Sequence, residues 1–338
     1  MNSPTKLEIN DQMVFFSSSE HMEELQDKCI DIIITSPPYN RGKHYSIDEN
    51  DENAYNDAIP EQEYLSFLSR VWKECYRVAS ESAVFFLNIG DSANDQGISE
   101  KVALSAASVG WIRIQDIIWV KSIHGRGHYT PSGNSRRFNN TWEHIFLFVK
   151  NKRKYKLDTK AVGIPYADKS NIGRYGKEDL RDPGNVFHIE YEKTTGNIIK
   201  KGHDAPFPIG LPYMCIKAVP NSKTILDPFL GTGTTLAASF CLGKKGFGYE
   251  KYPRIDLILQ TIQHGSDYRP KPMILIPHYE ITIKKLVEML EKTTPKLLAD
   301  SKKSLLEFEI TLDTLKKLGI QSVLVTQLES YQKSNKLS

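Results

Sequence analysis

The chain has 338 residues, 40% of them hydrophobic and 25% charged, with a formal net charge of +3. These values suit a folded, soluble chain of one large or two ordinary domains and exclude a disordered or fibrous one. With no run of 18 apolar residues, no membrane span is expected. The opening MNSPTKLEIND lacks a basic-then-apolar leader pattern, and Cys29, Cys75, Cys215 and Cys241 are scattered without metal-ligand spacing. The expectation is a cytoplasmic protein with reduced, buried thiols and no metal site.

The small net charge hides an asymmetry. Residues 121–203 hold 17 Lys and Arg against 8 Asp and Glu, a net of +9, which leaves −6 for the remainder. One segment is suited to a polyanion and the rest is not.

In chain order, CIDIIITS predicts a central strand, apolar on both faces and ending near residue 36. The acidic stretch SIDENDENAYNDAIPEQE reads as a solvated loop. From Glu61, the spacing of Leu65, Leu68, Trp72, Cys75 and Val78–Ala79 predicts a helix with one buried stripe. AVFFLNIGD predicts a strand, ISEKVALSAASVG a helix stopped by Gly110, and IRIQDIIWVK and HIFLFVK two more strands. Residues 122–203 interrupt this rhythm with Gly, Asn, Arg, Lys, Tyr and His. After Asp204 it resumes: helix PIGLPYMCIKAV, strand KTILD, helix TTLAASFCLG, strand KGFGYE and a helix over 253–264. Beyond about residue 278 the pattern is amphipathic helix, with IQSVLV as a short strand. Alternating strands and helices predict an α/β fold, a twisted, mainly parallel sheet covered by helices on both faces. Residues 1–121 and 204–268 then form one domain, 122–203 an inserted basic region, and 269–338 a mostly helical extension.

Two turns stand out. The first, in TILDPFLGTGTTLAASFCLG, is a strand, a glycine turn and a helix, the arrangement that binds ligands at the carboxyl ends of strands. Gly231 and Gly233 let the backbone turn sharply and lie against a ligand. Thr234 or Thr235 can cap the helix. Glu250, about 20 residues on, stands where an acid takes ribose hydroxyls. The turn lacks the Gly-Lys-Ser/Thr ending of a triphosphate loop and the third glycine of a nicotinamide fingerprint. A ligand with a ribose and a carboxylate but no phosphate, such as S-adenosylmethionine, fits better.

The second turn is Ser36-Pro37-Pro38-Tyr39, directly after the first apolar strand. Prolines lock φ and remove N–H donors, so the turn presents carbonyl oxygens beside a hydroxyl and a flat ring. Alone it reads as a rigid loop. With the glycine turn downstream, it reads as a grip on a flat heterocycle bearing an exocyclic amine. Two acceptors holding that amine's hydrogens would aim its lone pair outward, and such orientation is worth up to about 7–11 kcal/mol of barrier. A base inside a duplex must be flipped out to reach the turn, with an aromatic ring replacing the lost stacking.

DIIITSPPYN resembles the catalytic motif of amino-group DNA methyltransferases, and LDPFLGTGTTLAAS with GYE resembles their S-adenosyl-L-methionine motif. GHDAPFPIGLPYMCIKAV resembles a further cofactor-proximal motif centred on Phe207 and Pro208. The order, catalytic motif first, is the circularly permuted one of the beta class. The resemblance covers about residues 20–265 and implies a Rossmann-like methyltransferase fold. It further implies that Ser36 and the Pro37 carbonyl hold the amine, that Pro38 stiffens the turn and that Tyr39 stacks on the base. Asp227, Phe229, Gly231 and Gly233 would line the methionine end of the cofactor, Thr234 would join the cofactor site, and Glu250 would take the ribose. The basic region 122–203 falls where the family keeps its target-recognition region. Arg126, Arg136, Arg137, Lys152, Arg153, Lys154 and Arg174 are the candidates for phosphate and base contacts with double-stranded DNA. His124 and His128 have no acid or cysteine partner that would make a metal site. FFSSSEHMEEL departs from the Gly-Asp pair that family members often carry there.

Thr35-Ser36 at the motif's head resembles the cytosine-N(4) enzymes more than the adenine-N(6) ones, which usually carry an acid or amide. The resemblance implies a cytoplasmic modification enzyme, monomer or homodimer, whose usual partner is a restriction endonuclease. Adenine-N(6) transfer stands as the alternative, followed by a non-catalytic DNA-binding regulator on the same scaffold and by an RNA or protein-glutamine methyltransferase. The intact turns argue against the regulator, and the basic region favours nucleic acid over protein.

Overall fold

The computed structural model describes residues 5–40, 59–91, 95–121, 138, 140–166, 168–174, 176–189 and 207–269. The chain divides into Met1–Leu275 and Ile276–Ser338, and all described residues fall in the first unit. The expected helical extension therefore lies outside the described residues, as does the acidic stretch up to residue 58.

The first apolar run forms β3 (Ile30–Thr35), the middle strand of the sheet. Its side chains alternate between two cores. Ile30 and Ile33 pack on one face; Ile32 and Ile34 pack on the other. All four are fully buried, which is why Ile32, Ile33 and Ile34 follow one another with no polar residue between them. Around β3 stand β1 (Lys6–Ile9), β2 (Gln12–Phe15), β4 (Ala79–Ile89), β5 (Ile112–Val120), β6 (Trp142–Val149), β7 (Val186–His188), β8 (Thr224–Asp227) and β9 (Lys245–Tyr249). The nine strands lie in the order β1-β2-β9-β8-β3-β4-β6-β5-β7. β2, β9, β8, β3 and β4 are parallel neighbours, β5 and β7 are parallel to each other, and β6 runs antiparallel to both β4 and β5. The carboxyl ends of β3, β4, β5, β7, β8 and β9 therefore share one edge, and β6 starts at that edge and ends at the opposite one.

Helices α1 (Glu61–Val78) and α2 (Ile98–Ser108) cover one face; α3 (Gly210–Lys217) packs on the other, and α5 (Ile255–His264) packs against α4 (Thr234–Cys241). The expected stripe on α1 holds at Leu68, Trp72, Cys75 and Val78, which are buried with Tyr64 and Val71, while Leu65 is half-buried and Ala79 begins β4. Gly110, at φ 114°, ends α2 as expected.

Three features add to or alter the sequence reading. The β1–β2 hairpin has no counterpart in the periodicity reading. It turns on Asn10 and Asp11, at φ 47° and 60°, residue types that tolerate the left-handed region, and it extends the sheet through β9. Within 122–203, β6 and β7 pair into the central sheet. The helix after the glycine turn is not capped by a threonine: its N-cap is Gly233 at φ 93°, without a side-chain cap bond. All four cysteines are free, with Cys75 and Cys215 buried. Among the described residues no helix is long and apolar enough to cross a membrane, and no cluster of metal ligands occurs.

Candidate active site

β3 and β8 are adjacent and in parallel register, with Ile32 opposite Ile225 and Ile33 opposite Leu226. Both turns leave the sheet at the same edge, and a hydrogen bond joins them: the Thr35 hydroxyl donates to Asp227 Oδ1 at 2.7 Å. The Phe229 amide donates to the same oxygen at 3.0 Å, and the Thr235 hydroxyl donates to Oδ2 at 2.6 Å. Asp227 is thus the knot between the proline turn, the glycine turn and α4. Burial raises its carboxyl to about 6 against the pull of these three donors.

In the glycine turn, Gly231 and Gly233 have φ of 58° and 93°, a backbone that side-chain-bearing residues adopt at a cost. A Cβ on Gly233 would also touch Ile258 Cγ2 at 3.4 Å. Glu250 sits just beyond β9 and turns back into this loop. Its carboxylate accepts from the Gly231 amide at 2.8 Å and from the Tyr252 amide at 3.0 Å. Burial raises Glu250 to about 7. A carboxylate, two glycines in left-handed backbone and a helix N-terminus gather at one sheet edge, an arrangement open to a ligand with hydroxyl donors. Phe229 packs edge-on against Phe67 and Trp72 at 5.9 and 6.1 Å and ties the turn to α1. Thr234 is buried, its hydroxyl 3.2 Å from that of Thr232. Phe207 packs against the core on the α3 side, and the Pro208 carbonyl accepts from the Leu211 amide at 3.0 Å in the first turn of α3.

The proline turn is braced from both sides. Tyr64 of α1 donates to the Pro38 carbonyl at 2.6 Å. Asn40, at φ 53°, clasps Ile59 through two hydrogen bonds of 2.8 and 3.0 Å and so joins the two ends of segment 41–58. The Ser36 hydroxyl donates to the Tyr39 hydroxyl at 3.0 Å, and Tyr39 donates to Glu143 Oε2 at 2.9 Å. Glu143, on β6, also accepts from Asn88 Nδ2 at 3.2 Å and from Lys121 Nζ at 2.5 Å. Glu143 and Lys121 are buried. Sequence reasoning missed this ion pair. The signal was faint: Glu143 stands at the head of the strand, just before the apolar run Ile145–Val149, and an acid buried there requires a partner.

The DNA-contact candidates are dispersed. Arg126, Arg136 and Arg137 lie outside the described residues, as do His124 and His128. Lys152, Arg153 and Lys154 follow the end of β6, at the edge opposite both turns, and Lys154 pairs with Glu81 at 3.6 Å. Net charge along the chain does not report at which end of an antiparallel strand the charge emerges. Arg174 is exposed on the excursion between β6 and β7.

The profile of the DNA methylase family, which spans N6 and N4 enzymes, matches residues 30–260. Among curated proteins, the chain is 27% identical over 263 residues to type II methyltransferase M.BglII of Bacillus subtilis, covering 72% of this chain and 66% of that one. It is 27% identical over 270 residues to M.MjaI of Methanocaldococcus jannaschii, covering 70% and 86%. The match thus spans just under two thirds of M.BglII's length. Among solved structures, PvuII DNA methyltransferase, described as cytosine-N4-specific, shares the fold at a TM-score of 0.54 and 17% identity, over 77% of this chain and 94% of that one. With both turns at one sheet edge and the profile spanning most of the sheet, the chain belongs to the N6/N4 DNA methylase family.

Proposed function

We propose that this chain is a type II modification methyltransferase that methylates the exocyclic N4 of a cytosine flipped out of double-stranded DNA. One observation carries the reading: the hydroxyl and carbonyl acceptors of Ser36 and Pro37 stand one strand away from the glycine turn, tied to it through Thr35 and Asp227. The cradle fits S-adenosyl-L-methionine, the methyl donor of the family, because Glu250 offers a carboxylate to a ribose diol and Gly231 and Gly233 have no side chain to obstruct it. When bound, that cofactor supplies an electrophilic methyl group on a sulfonium.

The chain's own residues do the rest. Ser36 and the Pro37 carbonyl accept the two N–H bonds of the amine, which turns the nitrogen lone pair away from them. Tyr39 presents its ring to the extruded base in place of the lost stacking neighbours, a contact worth about 1–3 kcal/mol. No strongly basic side chain is required, since the nitrogen becomes acidic as it is alkylated. The serine at the head of the motif, in place of an acid or amide, favours cytosine over adenine. The relatives' type II names support a paired restriction endonuclease as the setting.

The test is product analysis. Purified protein is incubated with methyl-labelled S-adenosyl-L-methionine and unmethylated bacterial DNA, and the DNA is digested to nucleosides. Label in 4-methylcytosine is the expected result. Label in 6-methyladenine selects the adenine reading, and DNA binding without label selects the regulator.

A further inference from the structure

We propose that the buried Lys121–Glu143 pair is a positioning device that sets the direction of the hydrogen-bond chain Glu143–Tyr39–Ser36 and so keeps Ser36 an acceptor toward the target amine. The inference rests on the methyltransferase reading above and names two residues that act through Tyr39 rather than on the base.

The argument is one of donors and acceptors. An ionised carboxylate has lone pairs only, and a lysine ammonium has donors only. Lys121 Nζ lies 2.5 Å from Glu143 Oε1, so Oε2 faces Tyr39 and Asn88. Tyr39 must then donate its single proton to Glu143, at 2.9 Å. Its oxygen is left to accept, and it accepts the Ser36 proton at 3.0 Å. Ser36 Oγ has spent its only proton inward, and what it turns outward is lone pair. An amine presenting N–H bonds needs that polarity. A serine free to rotate would instead spend part of its time pointing its own proton at the amine nitrogen, engaging the lone pair that must attack.

The surroundings hold the pair in place. Both residues are buried, where the low dielectric strengthens their attraction and penalises any unpaired state. Asn88 Nδ2 bridges Glu143 and the His144 carbonyl, at 3.2 and 3.0 Å. A Cβ on Gly90 would come within 2.7 Å of Glu143 Cγ, so the end of β4 presses directly on the side chain. The pair joins the ends of β5 and β6 at the edge where the two turns emerge.

The charges give a test that a merely structural role does not pass. In Glu143→Gln, Lys121 can bond only the amide oxygen, which forces the amide NH2 toward Tyr39. Tyr39 then accepts from Gln, donates to Ser36, and reverses the chain. In the double variant Lys121→Met/Glu143→Gln the amide is free to present its oxygen to Tyr39, which restores the direction. Single-turnover methyl transfer, KM for DNA and cofactor affinity are measured on each full-length protein, beside wild type. The expected result is a loss of about 10²-fold in rate for Glu143→Gln, with KM and cofactor affinity unchanged, and recovery of most of that loss in the double variant. Tyr39→Phe breaks the chain, so adding Glu143→Gln to Tyr39→Phe is expected to cost nothing further; this arm remains informative if the double variant does not fold. A full rate in Glu143→Gln, a double variant that folds but is as slow as the single one, or additive losses in the Tyr39→Phe background would each overturn the proposal while leaving the methyltransferase reading intact. A wild-type protein that methylates no DNA would overturn that reading, and the purpose of the chain with it.

Discussion

The Thr35 hydroxyl reaches Asp227 Oδ1 at 2.7 Å across the junction of β3 and β8, so the last residue of one strand fixes the last residue of its neighbour. The two residues are 192 positions apart in sequence, and their bond sets how far the proline turn stands from the glycine turn. Thr35→Val keeps the shape and removes the donor. A buried carboxylate that loses one of three donors is expected to destabilise the fold by about 1–3 kcal/mol, read as a lower midpoint in urea unfolding. Methyl transfer should fall more than cofactor affinity, because the link spans the two turns while the cradle lies on one side of it. An unchanged midpoint would remove Asp227's role as the knot.

Glu250 titrates in opposite senses for stability and for binding. Burial raises it to about 7 in the folded chain, from an ordinary 4.5. The folded state therefore holds the proton more tightly, and Glu250's contribution to stability is complete below about 4.5 and lost as pH rises to 7. Asp227, raised to about 6 from 3.8, works in the same direction over a lower window. Glu250→Gln should consequently gain thermal stability relative to wild type in the cofactor-free protein as pH goes from 5 to 8. Cofactor binding needs the ionised acceptor, so the wild-type Kd should rise by up to about tenfold per pH unit below 7, while the Gln variant binds weakly at every pH. Calorimetry at pH 5.5, 7 and 8.5 separates the two; a flat wild-type profile would exclude Glu250 from the ribose site.

Gly231→Leu places a side chain at φ 58°, where a backbone penalty of about 1–2 kcal/mol applies and the cradle is filled. Cofactor affinity should be abolished first, with DNA binding retained. Normal affinity would place the cofactor elsewhere.

Tyr39→Ala should show the reverse profile. Cofactor affinity persists, and kcat/KM for DNA falls by at least about 10- to 100-fold, because the lost base stack of about 1–3 kcal/mol is joined by loss of the hydroxyl that orients Ser36. Unchanged turnover would remove the stacking role of the ring.

Both turns were legible because their signals are local. Prolines and glycines announce backbone geometry wherever they stand, and each turn follows directly on an apolar run. The Glu143–Lys121 pair was not legible, because the partners are 22 residues apart and meet only through the antiparallel pairing of β5 with β6. The acid at the head of an apolar strand hinted at a partner without naming it. The lysines and arginine at 152–154 are close in sequence to the basic stretch before β6, yet the strand carries them to the far edge. The β1–β2 hairpin was missed because its strands are four residues each, too short for alternation to register, although the Asn10-Asp11 turn was in plain view.

The most direct measurement of the central claim, that two distant turns form one methyl-transfer site, is a crystal structure of the chain with S-adenosyl-L-homocysteine. The account predicts the ribose hydroxyls within hydrogen-bonding distance of the Glu250 carboxylate, the amino-acid portion along Gly231 and Gly233, and the sulfur directed across the Thr35–Asp227 link toward Ser36. A ligand bound away from the shared edge of β3 and β8, or one whose sulfur faces away from Ser36, would contradict it.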